Sequence, residues 1–353
     1  MATTFKTLNA KDVISTRNLL HEAIPITGQI VSGTYADDNI KNFSHGIFQS
    51  VYDYPYLSSS ANHIFDLTVG YANSSALSGA SHTQNAKKVN IYNQMAQVLV
   101  GFDENNDVRR FDEDGNLTDG GTKIDEAYFV NFTRLLTKDE IKKGSFTLEL
   151  GVSASYSGTM GERITLKDND GITSYKVNSP AGEYGILYAE NSLGSPLDGV
   201  TSSTQQPAGL IYYQAGVAVV TASVFNGLLS SSVAMTSGGD TMSGVLTGST
   251  IASACDDLRN RIFNLSFNNS VELNSTVYFC RANHNEFNYS ANPTYLSASK
   301  LVVKNDAADV PVSYATTVGL YSPDNELLAV AKLSEPLKKD PTTEFTVRVR
   351  LDY

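Results

Sequence analysis

The chain contains no tryptophan and only two cysteines, Cys255 and Cys280, in 353 residues. Two isolated thiols, with no C-x-x-C pair beside either, exclude a disulfide framework and a four-ligand zinc site. Buried free thiols are the expectation. Positive charge is also scarce. Lys and Arg number 26 against 37 Asp and Glu, a net charge of −11, which argues against binding phosphate backbones through bulk electrostatics. No apolar run approaches the roughly 18 residues that a spanning helix needs, so no membrane span is expected. The start, MATTFKTLNAKDVIS, has no apolar h-region and reads as carrying no secretory signal. These features describe an acidic protein of a reducing compartment.

Catalytic signatures are missing as well. There is no G-x-S-x-G elbow, no Walker loop and no G-x-G-x-x-G after a strand. The five histidines, at 21, 45, 63, 82 and 284, show neither H-x-x-x-H nor H-E-x-x-H spacing. The acidic run Asp112-Glu113-Asp114-Gly115-Asn116 lacks the D-x-D-x-D-G register and the late bidentate Glu of a calcium loop, and reads as a solvated turn. Carboxylate pairs for glycoside hydrolysis are spatial and leave no sequence mark, but sugar clefts commonly stack their ligand on Trp. The expectation is a protein that is not an enzyme and takes no metal or cofactor.

What the chain does have is 19 Tyr, 15 Phe and a hydrophobic fraction of 41% with only 18% charged, enough to form a core and too apolar for disorder. Aromatic and β-branched residues suit pleated surfaces, while abundant Gly, Asn and Ser supply turns. The fold class expected is α+β, predominantly β, with antiparallel sheets in a sandwich-like body and a few short helices.

Periodicity places the elements. Asp12 to Leu20 reads as a helix capped by Asn9 or Asp12, and 86–100 as a second helix with Val89, Tyr92, Met95, Ala96 and Leu99 at helical spacing. A third, short helix is expected from Lys138 to Lys143, capped by Thr137 and stopped by Gly144. Strands are expected at Gln29–Tyr35, His63–Val69, Glu126–Phe132, Phe146–Leu150, Gly185–Ala189, Gly209–Tyr213 and Val217–Thr221. Asp168-Asn169-Asp170-Gly171 reads as a hairpin turn joining Ile164–Leu166 to Ser174–Val177. Near the end come Ser275–Arg281, a hairpin of Ser313–Tyr321 with Glu326–Leu333, and an alternating strand, EFTVRVRLDY. That strand puts Phe345, Val347, Val349, Leu351 and Tyr353 on one face, and Thr346, Arg348, Arg350 and Asp352 on the other. Four regions follow: a mixed α/β region at 1–144, a β-rich domain at 145–225, a flexible Gly/Ser-rich excursion at 226–254, and a C-terminal β region at 255–353 that completes the sheet of the first.

Several segments carry a resemblance. HEAIPITGQIVSGTYADDNIKNFSHGIFQSVYDYPYLSSSANHIFDLTVGYA, SHTQNAKKVNIYNQMAQVLVGFD, FDEDGNLTDGGTKIDEAYFVNFTRLLTKDEIKKGSFTLELG and the tail from EFNYSANPTYL to TTEFTVRVRLDY together span most of the chain. They resemble a virion structural protein of T4-like tailed phages, of the cyanophage type. The resemblance implies a particle component of the contractile tail or baseplate, assembled in the host cytoplasm and resident in the virion. The partners it implies are other phage structural proteins and further copies of the chain, with no nucleic acid and no membrane. Three other readings stand beside it: a receptor- or glycan-binding protein at a fibre, a neck or head decoration protein, and a polymer-degrading enzyme. Candidate interface residues are Phe43, Phe48, Tyr52, Tyr54 and Tyr56 in one aromatic run and Phe287, Tyr289 and Tyr295 in another, with 230–250 as a candidate contact loop.

Overall fold

The computed structural model describes residues 5–27, 37–116, 120–191, 206–226, 233–288, 296–297, 300–301 and 311–353. Strand makes up 45% of the chain and helix 16%, which gives the β-rich α+β class read from composition.

The first strands are β1 (Val13–Thr27), β2 (Ile40–Asn42), β3 (Gln49–Tyr52), β4 (His63–Tyr71), β5 (Phe111–Asp112), β6 (Lys123–Ile124) and β7 (Glu126–Phe132). Next come β8 (Glu140–Ile141), β9 (Thr147–Gly151), β10 (Arg163–Lys167), β11 (Lys176–Ser179), β12 (Gly182–Asn191), β13 (Gln206–Tyr212) and β14 (Val217–Thr221). The last are β15 (Ile262–Ala282), β16 (Leu296–Ser297), β17 (Lys300–Leu301), β18 (Ser313–Tyr321), β19 (Leu327–Lys339) and β20 (Phe345–Asp352). The helices are α1 (Asn85–Leu99), α2 (Arg134–Thr137), α3 (Met242–Gly248) and α4 (Ile251–Arg259).

The chain divides into a larger unit, Leu20–Val271, and a smaller unit made of Met1–Leu19 with Glu272–Tyr353. These boundaries differ from those expected at 144/145, 225/226 and 254/255. The first expected boundary falls inside one sheet, because β7 is hydrogen-bonded to β4 on one side and to β14 on the other.

In the larger unit the strand order is β15, β9, β10, β12, β13, β14, β7, β4, β3, β2, with β8 on β15 and β11 on β12. Its ladders are antiparallel. Antiparallel sheets often keep one wet face, but β14 is buried at all five positions and β7 at five of seven. Helix α1 lies close against β4. A Cβ on Gly70 would come within 2.6 Å of the Lys88 carbonyl oxygen and 2.8 Å of the Tyr92 nitrogen, so only glycine permits this approach. The buried face of α1 carries Lys88, Ile91, Tyr92, Ala96 and Leu99, which matches the helix read from 86–100. From it an aromatic chain runs through Tyr92, Phe111, Phe129 and Tyr212 at ring separations of 5.4 to 6.5 Å.

Three expectations fail for physical reasons. Residues 13–20 are not helix but part of β1, beside β15, where Ser15 Oγ lies 3.2 Å from Thr276 Oγ1. A distant strand overrides the local period there. The Asp168–Gly171 turn does not join β10 to a hairpin partner; β10 pairs with β9 and β12. The Asp168 carboxylate is 1% exposed and accepts from Gly144 N at 2.6 Å, Phe146 N at 2.9 Å and Tyr213 Oη at 3.2 Å. Between Thr133 and Gly144 the helix comes early: α2 is capped by the Thr133 hydroxyl, and β8 then pairs with Asn269 and Ser270 of β15.

The Gly/Ser-rich stretch is structured where it is described. From 233 onward it forms α3 and α4, whose N-caps are the hydroxyls of Thr241 and Thr250. Met242, Val245, Leu246, Ile251, Ala254 and Cys255 are buried. The small hydroxylated residues supply caps rather than a flexible excursion. Lys88 Nζ reaches into this turn and donates to the Leu246 and Ser249 carbonyls at 2.5 and 2.7 Å. Burial lowers its pKa to about 8. The expected strand at Gln29–Tyr35 lies outside the described residues.

In the smaller unit the Glu272–Ala282 part of β15 lies between β1 and β20. The β15–β20 register runs from Ser275 opposite Asp352 to Ala282 opposite Phe345. Along β20 the odd residues are half-buried or buried and the even ones exposed, as the alternation predicts. Strands β18 and β19 form a two-stranded hairpin, where Ser322 N donates to the Glu326 carbonyl at 2.9 Å.

Candidate interface residues

The first aromatic run lies on the β2–β3 side of the larger unit. Strand β3 is buried at Gln49, Ser50 and Val51, so its turn-side neighbours are held at the rim. Phe43, His45 and Phe48 form a compact triad, with ring separations of 4.8 to 5.1 Å. Lys41 Nζ sits 4.9 Å from the Phe43 centroid, a cation–π contact. Lys87 Nζ donates to the His45 carbonyl at 2.7 Å and ties the triad to α1. Both phenylalanines are half-buried.

Tyr52 is half-buried against the His63 ring, 5.3 Å away, and the Tyr56 ring, 6.3 Å away. Tyr54 is 57% exposed, Tyr56 36% and Leu57 85%. Their loop is closed by Asp53, whose carboxylate accepts from Asn62 N at 2.6 Å and Nδ2 at 2.8 Å. Asn39 Nδ2 donates to the Tyr52 and Asp53 carbonyls. His63 Nε2 lies 2.9 Å from Asp66 Oδ1, and this hydrogen bond raises the imidazole pKa. Ser50 Oγ donates to the same carboxylate oxygen. The serine is thus bonded to Asp66 rather than to His63, which is not the nucleophile–base geometry of acyl transfer.

The second run belongs to the smaller unit. Phe287 is 46% exposed and has a φ of +52°, a left-handed backbone that is rare for a bulky residue. The loop holding it is fixed by Lys339, which is fully buried and donates to Asn288 Oδ1 at 2.7 Å, the Asp340 carbonyl at 2.9 Å and the His284 carbonyl at 3.2 Å. Ser313 Oγ donates to the Phe287 carbonyl. Tyr289 and Tyr295 lie outside the described residues, as do 230–232 of the candidate contact loop. The remainder of that loop includes buried Val233, Met235, Met242, Val245 and Leu246, so much of it is core.

Sequence reasoning missed the feature that most distinguishes the smaller unit. Its buried apolar residues, among those described, are Val277, Ala282 and Val349, each 7 to 8% exposed. The contiguous hydrophobic core runs from Ile40 to Phe267 and lies entirely in the larger unit. Meanwhile Phe5, Leu8, Ile14, Leu19 and Leu273 are exposed, as are Tyr314, Tyr321, Leu327, Leu328, Val330 and Leu337 of the hairpin. A density of apolar residues outside the core was readable only with the contacts in view. On its own, the alternation of β18 and β19 looks like that of any half-buried pair.

One face of the β1–β15–β20 sheet forms a shallow depression of about 230 Å³. Val277 and Phe279 form its floor, Ile14, Thr16 and Asn18 one wall, and Arg348 and Arg350 the other. Arg350 Nε donates to Ser275 Oγ at 2.9 Å and Asp352 Oδ1 at 2.8 Å. The Arg348 guanidinium has no hydrogen bond or ion pair among the described residues. No group of three metal-ligating side chains occurs among the described residues, and none of their helices is long and apolar enough to cross a membrane.

No family model, curated protein or solved structure matches the chain.

Proposed function

We propose that this protein is a structural component of a tailed-phage virion, an assembly module of the contractile tail or baseplate that works in many copies among other structural proteins. The observation that carries the reading is the exposed apolar surface of the smaller unit. Among the described residues its strands bury three apolar side chains and expose a row of Leu, Val and Tyr, surface of the kind that a neighbouring molecule covers. The sequence resemblance to virion proteins of T4-like phages supplies the kind of molecule. Assembly in a host cytoplasm also accords with free thiols, of which Cys255 is fully buried and has its pKa pushed up by desolvation.

The test is immunogold electron microscopy of purified particles with antibody against the chain. Label at the distal end of the tail is the expected result. Label confined to head or neck removes the tail and baseplate assignment, and absence from intact and disrupted particles removes the virion reading. The exposed Tyr54, Tyr56 and Leu57 beside His63 favour a second reading, glycan or receptor binding at a fibre. Binding of the isolated protein to host cells, abolished by Tyr54→Ala with Tyr56→Ala, would establish it.

A further inference from the structure

Charge is divided as unevenly as burial. The smaller unit carries 11 Lys and Arg with 11 Asp and Glu, and the larger unit 15 with 26, so the whole excess of −11 falls on the larger unit. Within the neutral smaller unit the β1–β15–β20 depression is locally cationic, with an unpaired guanidinium, Arg348, beside an apolar floor. An apolar floor with a cationic wall suits an apolar side chain flanked by carboxylates.

The larger unit displays that chemistry in the loop Phe102–Asp107. Phe102 is 48% exposed and forms a bridge with Val108 that pins the loop's base. Asp103 Oδ1 accepts from Asn105 N and Asp107 N, each at 2.8 Å, and Asp103 N donates to the Asp107 carbonyl at 2.9 Å. The loop is therefore preformed. Glu104 and Asp107 are exposed, and their carboxylates have no partner among the described residues.

We propose that copies of this chain associate head to tail, the Val277–Phe279 depression of one copy receiving the Phe102–Asp107 loop of the next. Charge selects this arrangement among copy–copy contacts. Depression against depression opposes Arg348 to Arg348, and larger unit against larger unit opposes two acidic surfaces. Of these three arrangements, the heterologous contact is the one that pairs opposite signs, and such contacts generate rings or filaments, the geometry of a tail. The proposal rests on the assembly reading and names its first partner as the chain itself.

Sedimentation velocity of the full chain tests it. Oligomers are expected at about 0.05 M salt, dissociating toward monomer at about 0.5 M as the charges are screened. Arg348→Gln with Arg350→Gln, and separately Glu104→Gln with Asp107→Asn, should each weaken self-association by about tenfold or more. An equal mixture of the two variants should form dimers and stop there, since only one intact depression and one intact loop remain per pair. Far-UV circular dichroism checks folding. If the arginine variant misfolds, the loop variant, which touches only exposed side chains of the larger unit, must still cap growing wild-type oligomers. A monomer at low salt, variants that associate like wild type, or a mixture that forms no dimers would each overturn the proposal. Oligomers indifferent to both variants, with gold label still on the tail, would sink this contact and leave the assembly reading intact. Particles without label would remove that reading whatever the sedimentation shows.

Discussion

The two units of this chain solve the same problem in opposite ways. The larger unit buries its central strands β7 and β14 on both faces, holds the contiguous core and carries the whole excess of negative charge. The smaller unit is electrically balanced, and many of its described Leu, Val, Phe and Tyr side chains are exposed. Net charge keeps a protein apart from its copies, and neutrality with exposed apolar surface brings molecules together. On the assembly reading proposed above, the smaller unit is the one that a neighbour covers.

The largest expected effect separates the units directly. Phe129 is fully buried, with rings of Tyr92 and Phe111 at 6.4 and 5.7 Å. Phe129→Ala should cost about 3–5 kcal/mol of larger-unit stability, by lost transfer energy and the cavity left behind. In the smaller unit, Val277→Ala should cost about 1 kcal/mol or less, because a three-stranded sheet closes a small cavity easily. Urea unfolding read by hydrogen exchange in each unit measures both. Equal costs would end the comparison.

Next in size is a pH effect confined to the larger unit. Desolvation raises the Asp168 pKa from 3.8 to about 6, outweighing the hydrogen bonds from Gly144, Phe146 and Tyr213 that favour the carboxylate. The folded state thus holds this proton more tightly than the unfolded chain. The resulting stability is fully present below pH 3.8 and is lost as pH rises through about 6. At 1.36 kcal/mol per pH unit this amounts to about 3 kcal/mol. Asp168→Asn should flatten that slope, whatever it does to stability overall. A slope unchanged in the variant would show that Asp168 is not its source.

Gly70→Ala probes the seam between α1 and β4. The new methyl would meet backbone atoms of Lys88 and Tyr92, which cannot swing aside as a side chain can. A loss of about 1–3 kcal/mol is expected in the larger unit, with exchange in the smaller unit unchanged.

How far all this could be read in the sequence follows the range of the interactions. Strand β7 and strand β14 are short apolar runs between turn residues, and α1 has a clean helical stripe; each was legible locally. Strand β1 was not, because its identity depends on a partner more than 240 residues away, as the His21 contact to Asn269 at 3.3 Å shows. Asp168 looked like a turn residue because Asp-Gly sequences usually are, yet its carboxylate serves as a buried acceptor for backbone 22 and 24 residues back. Thr241 and Thr250 looked like linker residues and are N-caps. Of the proposed contact, the arginines of β20 were visible in the alternation, but their apolar floor comes from β15.

The smallest expected effect on stability is the most telling about purpose. Leu328 is 67% exposed on β19, where the register with β18 shifts between Leu320 and Tyr321, so its side chain lies outside the regular ladder. Leu328→Ser should change the stability of the isolated protein by no more than about 0.5 kcal/mol, since little apolar surface is buried there to lose. If the hairpin is a covered surface of the particle, the same substitution should reduce incorporation into virions, measured as the ratio of variant to wild-type chain in particles grown with both. A residue that costs nothing in solution and something in the particle is stabilising a neighbour contact. A variant incorporated equally would place the covered surface elsewhere on the smaller unit.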